Sequence, residues 1–335
     1  MQLKNMSDKK VLMFCMNFFG YHKAIEEELR NIGCQVDLYN ELPNSGAFCK
    51  IMVRYGVAIY RPAILNYYRS VVAQNKDKDY DYVFIVKSEA TNEKVVKLLR
   101  AAYPKAQFIL YLWDSVENIP NGKNKLGLFD RVLTFDPEDA EEYGLILRPL
   151  FYCKEYEAEV VNKSDYRYEV AFIGTAHTIR PRIAMQLADQ CAKRGKESFY
   201  YLFLPHPLVF LYNKVFNPAY RTVRKADINF KSLSAKEVQA VYDDCRCILD
   251  VEHIAQRGLT MRTIEMIGSN RKLITTNKSI EKYDFYNKNN ICIIDREKPV
   301  VREDFWESEY EPLPQEILKR YSLRAFVKEI FDVKE

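Results

Sequence analysis

Between Cys247 and Asn277 the hydrophobic period of this chain changes twice, and that change leaves few folds open. Cys247-Ile-Leu-Asp250 is a short apolar run ending in acid, the pattern of a buried strand and its tip. Gln256-Arg257-Gly258 makes a turn, after which the apolar residues recur at helical spacing. At about 100° per residue, Thr260, Ile264 and Ile267 fall on one side of that helix. Gly258, Arg262, Glu265 and Ser269 fall on the other. Leu273-Ile-Thr-Thr276 is again β-prone. Strand, turn, helix, strand is a βαβ crossover, which belongs in a parallel sheet. Ligands of such sheets bind beyond the carboxyl ends of the strands, where helix N-termini present unpaired N–H groups.

The same alternation runs through the chain. Apolar strand-like runs occupy 10–16, 33–39, 81–86, 107–112 and 131–135, and a second series starts at 168–173 and 199–204. Helical segments are expected over 23–31, over 48–74 with an interruption at Pro62, from a Thr91 cap to residue 102, and after Asp136-Pro137. Ser234-Ala-Lys-Glu237 reads as a capping box. The expected class is α/β, with two Rossmann-like, doubly wound parallel-sheet domains. Residues 1–152 form the first, 153–167 a charged linker, 168–312 the second, and 313–335 terminal helices.

Bulk composition removes several function classes. A net charge of +4 on 50 basic and 46 acidic residues does not imply a nucleic-acid partner. The polar start of the chain is unlike a signal peptide, and no apolar run approaches the roughly 20 residues that span a bilayer. Eight scattered cysteines, without paired zinc-ligand spacing, fit reduced thiols and a cytosolic location.

Candidate ligand-binding residues cluster at the strand ends. Gly258-Leu259-Thr260 opens a helix and suits a phosphate, Arg262 one turn on supplies a cation, and Glu265 can accept ribose hydroxyl bonds. The bland alternative is that Arg262 and Glu265 form a solvated ion pair worth a few tenths of a kcal/mol. Against it stands the crowding of Asp250, Glu252, His253, Gln256 and Arg257 between an apolar strand and an apolar helix. Gly174 ends the strand over 168–173, with His177 and Arg180 placed for a pyrophosphate contact; a local cap with a surface arginine is the other reading. The first turn holds a single Gly20 and no Gly-x-Gly-x-x-Gly, which weakens a dinucleotide-binding reading.

Arg257-Gly-Leu-Thr-Met-Arg-Thr-Ile-Glu265 followed by Lys272-Leu-Ile-Thr-Thr-Asn277 resembles the donor-site segment of group 1, GT-B-type bacterial glycosyltransferases. It is most similar to their capsule, exopolysaccharide and spore-maturation branch. Glu252 and Glu265 depart from the paired-glutamate spacing of better-known retaining members, which leaves donor and stereochemistry open. The resemblance covers about 168–180 and 232–295 specifically, and the N-terminal half only in architecture. It implies two domains facing a central cleft, a nucleotide-sugar donor, and a glycan or lipid-linked acceptor. An inverting transfer would need a base: Asp114 beside Trp113 is one candidate, and Glu89 and His22 are rivals. A retaining transfer needs no dedicated base. Cofactor and metal are both expected to be none: Asp250-Val-Glu252 lies beside His253, Arg257 and Arg262, cations that can neutralise a leaving diphosphate unaided.

Two further readings stay open. Residues 207–218 with Arg221, Arg224 and Lys225 either lie on the inner face of a membrane or form an ordinary core helix with a basic loop. The architecture also suits a nucleotide-sugar epimerase or a non-catalytic glycan-binding scaffold.

Overall fold

The computed structural model describes residues 6–44, 49, 60–157, 166–221, 223–253 and 257–333, and among them every paired strand is parallel. The chain divides into two compact units. The first comprises Met1–Cys153, Gln256–Gly258 and Arg320–Glu335, and the second Lys154–Ala255 and Leu259–Lys319.

In the first unit the chain alternates β1 (Lys10–Phe14), α1 (Tyr21–Asn31), β2 (Gln35–Tyr39), α2 (Arg61–Gln74), β3 (Tyr82–Val86), α3 (Glu93–Ala102), β4 (Gln107–Leu112), α4 (Gly122–Leu126), β5 (Arg131–Thr134), α5 (Pro137–Tyr143) and β6 (Ile146–Leu147). Sheet order is β2-β1-β3-β4-β5-β6. All five β3 residues are buried, as the unbroken apolar run Tyr82-Val-Phe-Ile-Val86 requires of a strand covered on both faces. Asp136 caps α5 with Pro137 at its start, as its sequence predicts. Pro62 sits in the first turn of α2, where its missing N–H costs nothing, and Cys49 on the other side of it is helical as well. One expectation needs correction. The cap of α3 is Asn92, whose Oδ1 accepts the N–H groups of Lys94 and Val95. Thr91 turns inward to Glu41. Residues 48 and 50–59 of the expected 48–74 helix, and 158–165 of the expected linker, lie outside the described residues.

The second unit follows with β7 (Tyr168–Thr175), α6 (Arg180–Lys193), β8 (Ser198–Phe203), α7 (Pro207–Phe216), β9 (Ile228–Asn229), α8 (Ala235–Asp243), β10 (Cys245–Asp250), α9 (Met261–Gly268), β11 (Lys272–Thr275), β12 (Ile291–Ile293), α10 (Glu303–Glu307) and α11 (Gln315–Arg320). Its order β12-β11-β10-β7-β8-β9 is the doubly wound one in which the chain leaves β7 first to one side and then to the other. The reversal lies between β7 and β10; in the first unit it lies between β1 and β3. Neighbouring loops diverge at such points and leave a crevice above the sheet. Each reversal is flanked by polar strand tips, Gly174 and Asp250 in one sheet, Lys87 and Glu89 in the other.

The last helix, α12 (Leu323–Ile330), belongs to the first unit. The Tyr152 N–H donates to Tyr321 O at 2.9 Å, and Leu323 N–H to Tyr152 O at 3.0 Å. Fully buried Arg148 donates to Arg320 O at 2.8 Å and pairs with Glu329 at 3.1 Å. The Phe326 ring is fully buried, 4.5 Å from the Phe151 centroid and 4.8 Å from that of Tyr111. All eight cysteines are free thiols and buried, four in each unit. Replacing Phe326 with Ala should destabilise the first unit by about 3–5 kcal/mol, the usual cost of an aromatic-to-alanine cavity. Urea unfolding measures it, and a loss below about 1 kcal/mol would mean that α12 is not part of that core.

Candidate functional site

Strand β10 ends in a carboxylate that is almost sealed from water, Asp250 at 1% exposure. Its Oδ2 accepts Thr260 Oγ1 at 2.6 Å and Thr263 Oγ1 at 2.9 Å, and its Oδ1 accepts Arg262 Nη1 at 3.2 Å. Thr260 is also the N-cap of α9, accepting the Thr263 N–H at 3.2 Å. The Arg262 guanidinium donates further to Ile173 O near the end of β7 and to the Tyr242 hydroxyl, and lies over the Phe172 ring. Burial works against its charge, but Tyr242 and Asp250 more than offset that, so its pKa rises above the ordinary arginine value. An Arg262–Glu265 surface pair is therefore not what forms: Arg262 pairs with Asp250, and Glu265 is itself buried within α9.

A second ion pair stands two residues on. Glu252 accepts Thr276 Oγ1 at 2.6 Å and is bridged by Arg296 from the loop after β12. From the β7 side, Arg180 donates its Nε–H to Val251 O at 2.7 Å and its Nη1–H to His177 Nε2 at 2.9 Å. Among the described residues Arg180 makes no ion pair, and Asp250 and Glu252 act on it only from a distance. Burial first, then the nearby Arg262 charge, pulls its pKa down to about 10, so it remains cationic at neutral pH. His177 is held neutral, with burial, Arg180 and His253 lowering its pKa to about 4. The acceptor role of Nε2 towards Arg180 puts the ring proton on Nδ1, 3.3 Å from Thr178 Oγ1. Gly174 leaves space beside these groups: a Cβ there would lie 3.0 Å from the Phe172 ring and 3.4 Å from Arg262 Nη2.

The structure thus brings Gly174, His177, Arg180, Glu252, Thr260, Arg262 and Glu265 to one edge of the second sheet. Leu259 is buried beneath it. Arg257 and Gly258 group with the first unit instead. Arg257 pairs with Glu138 at 3.3 Å, and a Cβ on Gly258 would lie 2.5 Å from Phe135 ring carbons. Close approach of the Phe135 ring leaves no room for a side chain at that position. Arg296 and Tyr242 are not among the residues the sequence singles out, and Thr276 lies in the 272–277 run without an assigned role. Arg296 carried a usable signal, a cation just past the apolar run Ile291-Cys-Ile-Ile294; Tyr242 on a helix face carried none.

In the first unit, Glu89 and Asp114 stand at the ends of neighbouring strands around Lys87. Lys87 Nζ is 2.6 Å from Glu89 and 4.0 Å from Asp114. Asp114 Oδ1 also accepts Ser115 N–H at 3.1 Å and Asn118 Nδ2 at 3.0 Å. His22, in the first turn of α1, is joined to neither carboxylate among the described residues, and burial lowers its pKa. The turn that presents Lys87 and Glu89 is strained, with Lys87 and Ser88 at φ 79° and 62°. Fully buried Glu41 holds it, accepting Ala90 N–H at 2.8 Å and Thr91 N–H at 3.1 Å, while Lys125 donates to Ser88 O. Burial raises the Glu41 pKa and lowers that of Lys125 to about 8. Beside this group a ring cluster forms, with Trp113 centroids 5.0 Å from Phe18, 5.7 Å from Tyr21 and 5.5 Å from Phe151.

Because His177 titrates near 4 in the folded chain and near 6.5 unfolded, the unfolded state binds the extra proton between those values. Stability should therefore fall as pH drops through that window and be unaffected by this group above it. Thermal melts of the intact chain and of His177→Gln, compared across that range, should show the variant with a flatter pH dependence; parallel curves would mean that His177 is not held neutral.

No protein-family profile and no curated protein matches the sequence. Solved structures do match over nearly the whole chain. An alpha-glucosyltransferase in complex with UDP and a 13-mer DNA shares 12% identity, with 98% of this chain and 99% of that one covered and a TM-score of 0.59. MurG of Acinetobacter baumannii shares 9% identity, covering 97% and 99%, with a TM-score of 0.54. The catalytic domain of starch synthase IV from Arabidopsis thaliana, bound to ADP and acarbose, shares 8%, covering 98% and 96%, with a TM-score of 0.54. Identity this low shows the fold alone, and the fold is the GT-B one, with two Rossmann-like units.

Proposed function

We propose that this protein is a glycosyltransferase that moves a sugar from a nucleotide-sugar donor to a glycan or lipid-linked acceptor. The observation that carries the reading is Arg180, a half-buried cation with neutral hydrogen-bond partners at the β7–β10 reversal, beside Gly174 and the start of α9. A diphosphate placed there would supply the missing counter-charge. The structures of like fold were solved with UDP in one case and ADP in another, which supports a nucleotide as the occupant. Arg262 has a different role: its bonds to Asp250 and Ile173 O hold the edge together, and it faces the donor as a fixed positive field. Glu265 is proposed to line the nucleoside side of the same helix.

We place the acceptor at the first unit, where the Phe18, Tyr21 and Trp113 rings offer a stacking surface beside Glu89 and Asp114. Asp114 or Glu89 would take the acceptor proton in an inverting transfer, with His22 as a third candidate. Surface polysaccharide of the capsule or exopolysaccharide kind is the setting we favour, in a reducing compartment that eight free thiols suit. Transfer should need no metal, because Asp250 and Glu252 both spend their oxygens on arginine and threonine.

Two measurements test the reading. Arg180→Ala removes a charge-assisted contact worth about 1.5–3 kcal/mol, so nucleoside diphosphate affinity should fall roughly ten- to hundredfold. Calorimetry on the folded variant reads this, and equal affinity would remove Arg180 from the donor site. Incubation with a panel of nucleotide sugars and EDTA should release nucleotide as sugar is transferred. Formation of an epimer would make the protein an epimerase, silence across the panel a binding scaffold, and activity lost to EDTA and restored by Mn²⁺ a metal enzyme.

A further inference from the structure

Helix α7 carries more uncovered apolar surface than any other helix among the described residues. Leu208, Leu211, Tyr212, Val215 and Phe216 are 67%, 58%, 64%, 67% and 69% exposed, and no residue of α7 is fully buried. At 100° per residue these five fall within an arc of about 140°, so they form one continuous stripe. The opposite side is anchored: Val209 and Phe210 pack on the core of the second unit. The helix is also fixed at both ends. His206 Nδ1 accepts the Leu208 N–H at 3.1 Å, and Lys214 Nζ donates to the carbonyls of Tyr220, Arg221 and Val223 at 3.0, 2.8 and 2.8 Å. The stripe is therefore a rigid surface rather than a helix end in search of its core.

Charge identifies the occupant. Between Pro207 and Ala226 the sequence holds Lys214, Arg221, Arg224 and Lys225 and no Asp or Glu. The three carbonyl bonds of Lys214 fold this basic stretch back against the C-terminal end of α7, with Arg221, Arg224 and Lys225 exposed. Arg224 is paired with Asp227. An apolar stripe flanked by more cations than acids, with Arg221 and Lys225 exposed beside it, matches an anionic bilayer surface, where the stripe enters the acyl boundary and the cations meet phosphate headgroups. A partner protein with an apolar groove would satisfy the stripe alone. No helix among the described residues is long and apolar enough to cross a membrane, so contact here is lateral.

We infer that α7 together with Arg221, Arg224 and Lys225 forms a docking surface for an anionic lipid membrane, with Leu208, Leu211, Tyr212, Val215 and Phe216 as the inserted side chains. This deepens the lipid-linked alternative for the acceptor, but the surface argument stands without any sugar chemistry. Flotation of the intact chain with vesicles of phosphatidylcholine alone, and of phosphatidylcholine with about one-third phosphatidylglycerol, tests it. The protein should float with the anionic vesicles only, and less so as salt rises. Leu211→Glu with Val215→Glu should reduce the floated fraction about tenfold or more, and Arg221→Gln with Lys225→Gln should reduce it with anionic vesicles. Both pairs point outward, so their melting temperatures should match that of the unmutated chain. Failure to float with anionic vesicles, equal flotation with both kinds, or flotation unchanged by the glutamates would each overturn the inference. So would sedimentation velocity showing a dimer that the glutamates split, since a second copy would then cover the stripe. The two-vesicle comparison needs no variant, so it decides even if one misfolds. It contains no nucleotide sugar, so its failure leaves the proposed transfer standing.

Discussion

A carboxylate removed from water at the end of a strand organises the second unit. Isolated, the Asp250 charge would cost several kcal/mol to bury. Three donors from the next helix meet it instead, two threonine hydroxyls and an arginine. Their spacing at 260, 262 and 263 is what a first helical turn can present to one point, so the start of α9 is positioned by the ion pair as much as by packing. Arg262 then carries the constraint across the sheet by donating to Ile173 O. Strands β7 and β10, already neighbours in the ladder, are joined again above their ends. The strand ends beside the reversal of winding are thus tied together by side-chain bonds as well as by the ladder.

The first unit solves a similar problem with different groups. Its strand-end turn at Lys87 and Ser88 adopts left-handed backbone angles that side chains disfavour, at a cost of order 1–3 kcal/mol each. Buried Glu41 gathers the N–H groups that follow, and Lys125 takes the Ser88 carbonyl. The strain fixes Lys87 over Glu89 and towards Asp114. In both units a buried ionic group lies beneath the sheet edge and sets the aim of the polar residues above it.

Much of the framework was legible because it depends on periodicity. Fully apolar runs such as 82–86 and 107–112 are dictated by burial on two faces, and the cap and box residues Asp136 and Ser234 by local hydrogen bonding. The polar tips of strands could be assigned to one edge from parallel winding alone. Partner choice could not. That Arg262 faces Asp250 rather than Glu265, or that Glu252 meets Arg296 across 44 positions, depends on tertiary distances. Two-residue strands β6 and β9 are too short to show a period. Glu41 and Lys125 look like surface charges in sequence, and only the strained turn above them explains their burial.

The buried thiols have a consequence for how the molecule can be observed. Alkylating reagents attack thiolates, and burial holds several of these thiols protonated: Cys34 is pushed up to about 11, Cys191 and Cys247 to about 12, and Cys15 and Cys245 are raised as well. Reaction must therefore wait for local or global opening. Cys15, Cys34, Cys49 and Cys153 lie in one unit, and Cys191, Cys245, Cys247 and Cys292 in the other. The chain carries its own set of chemical clocks, four to a unit. Mass spectrometry after a labelling pulse can time the opening of each sheet separately, with no engineered probe.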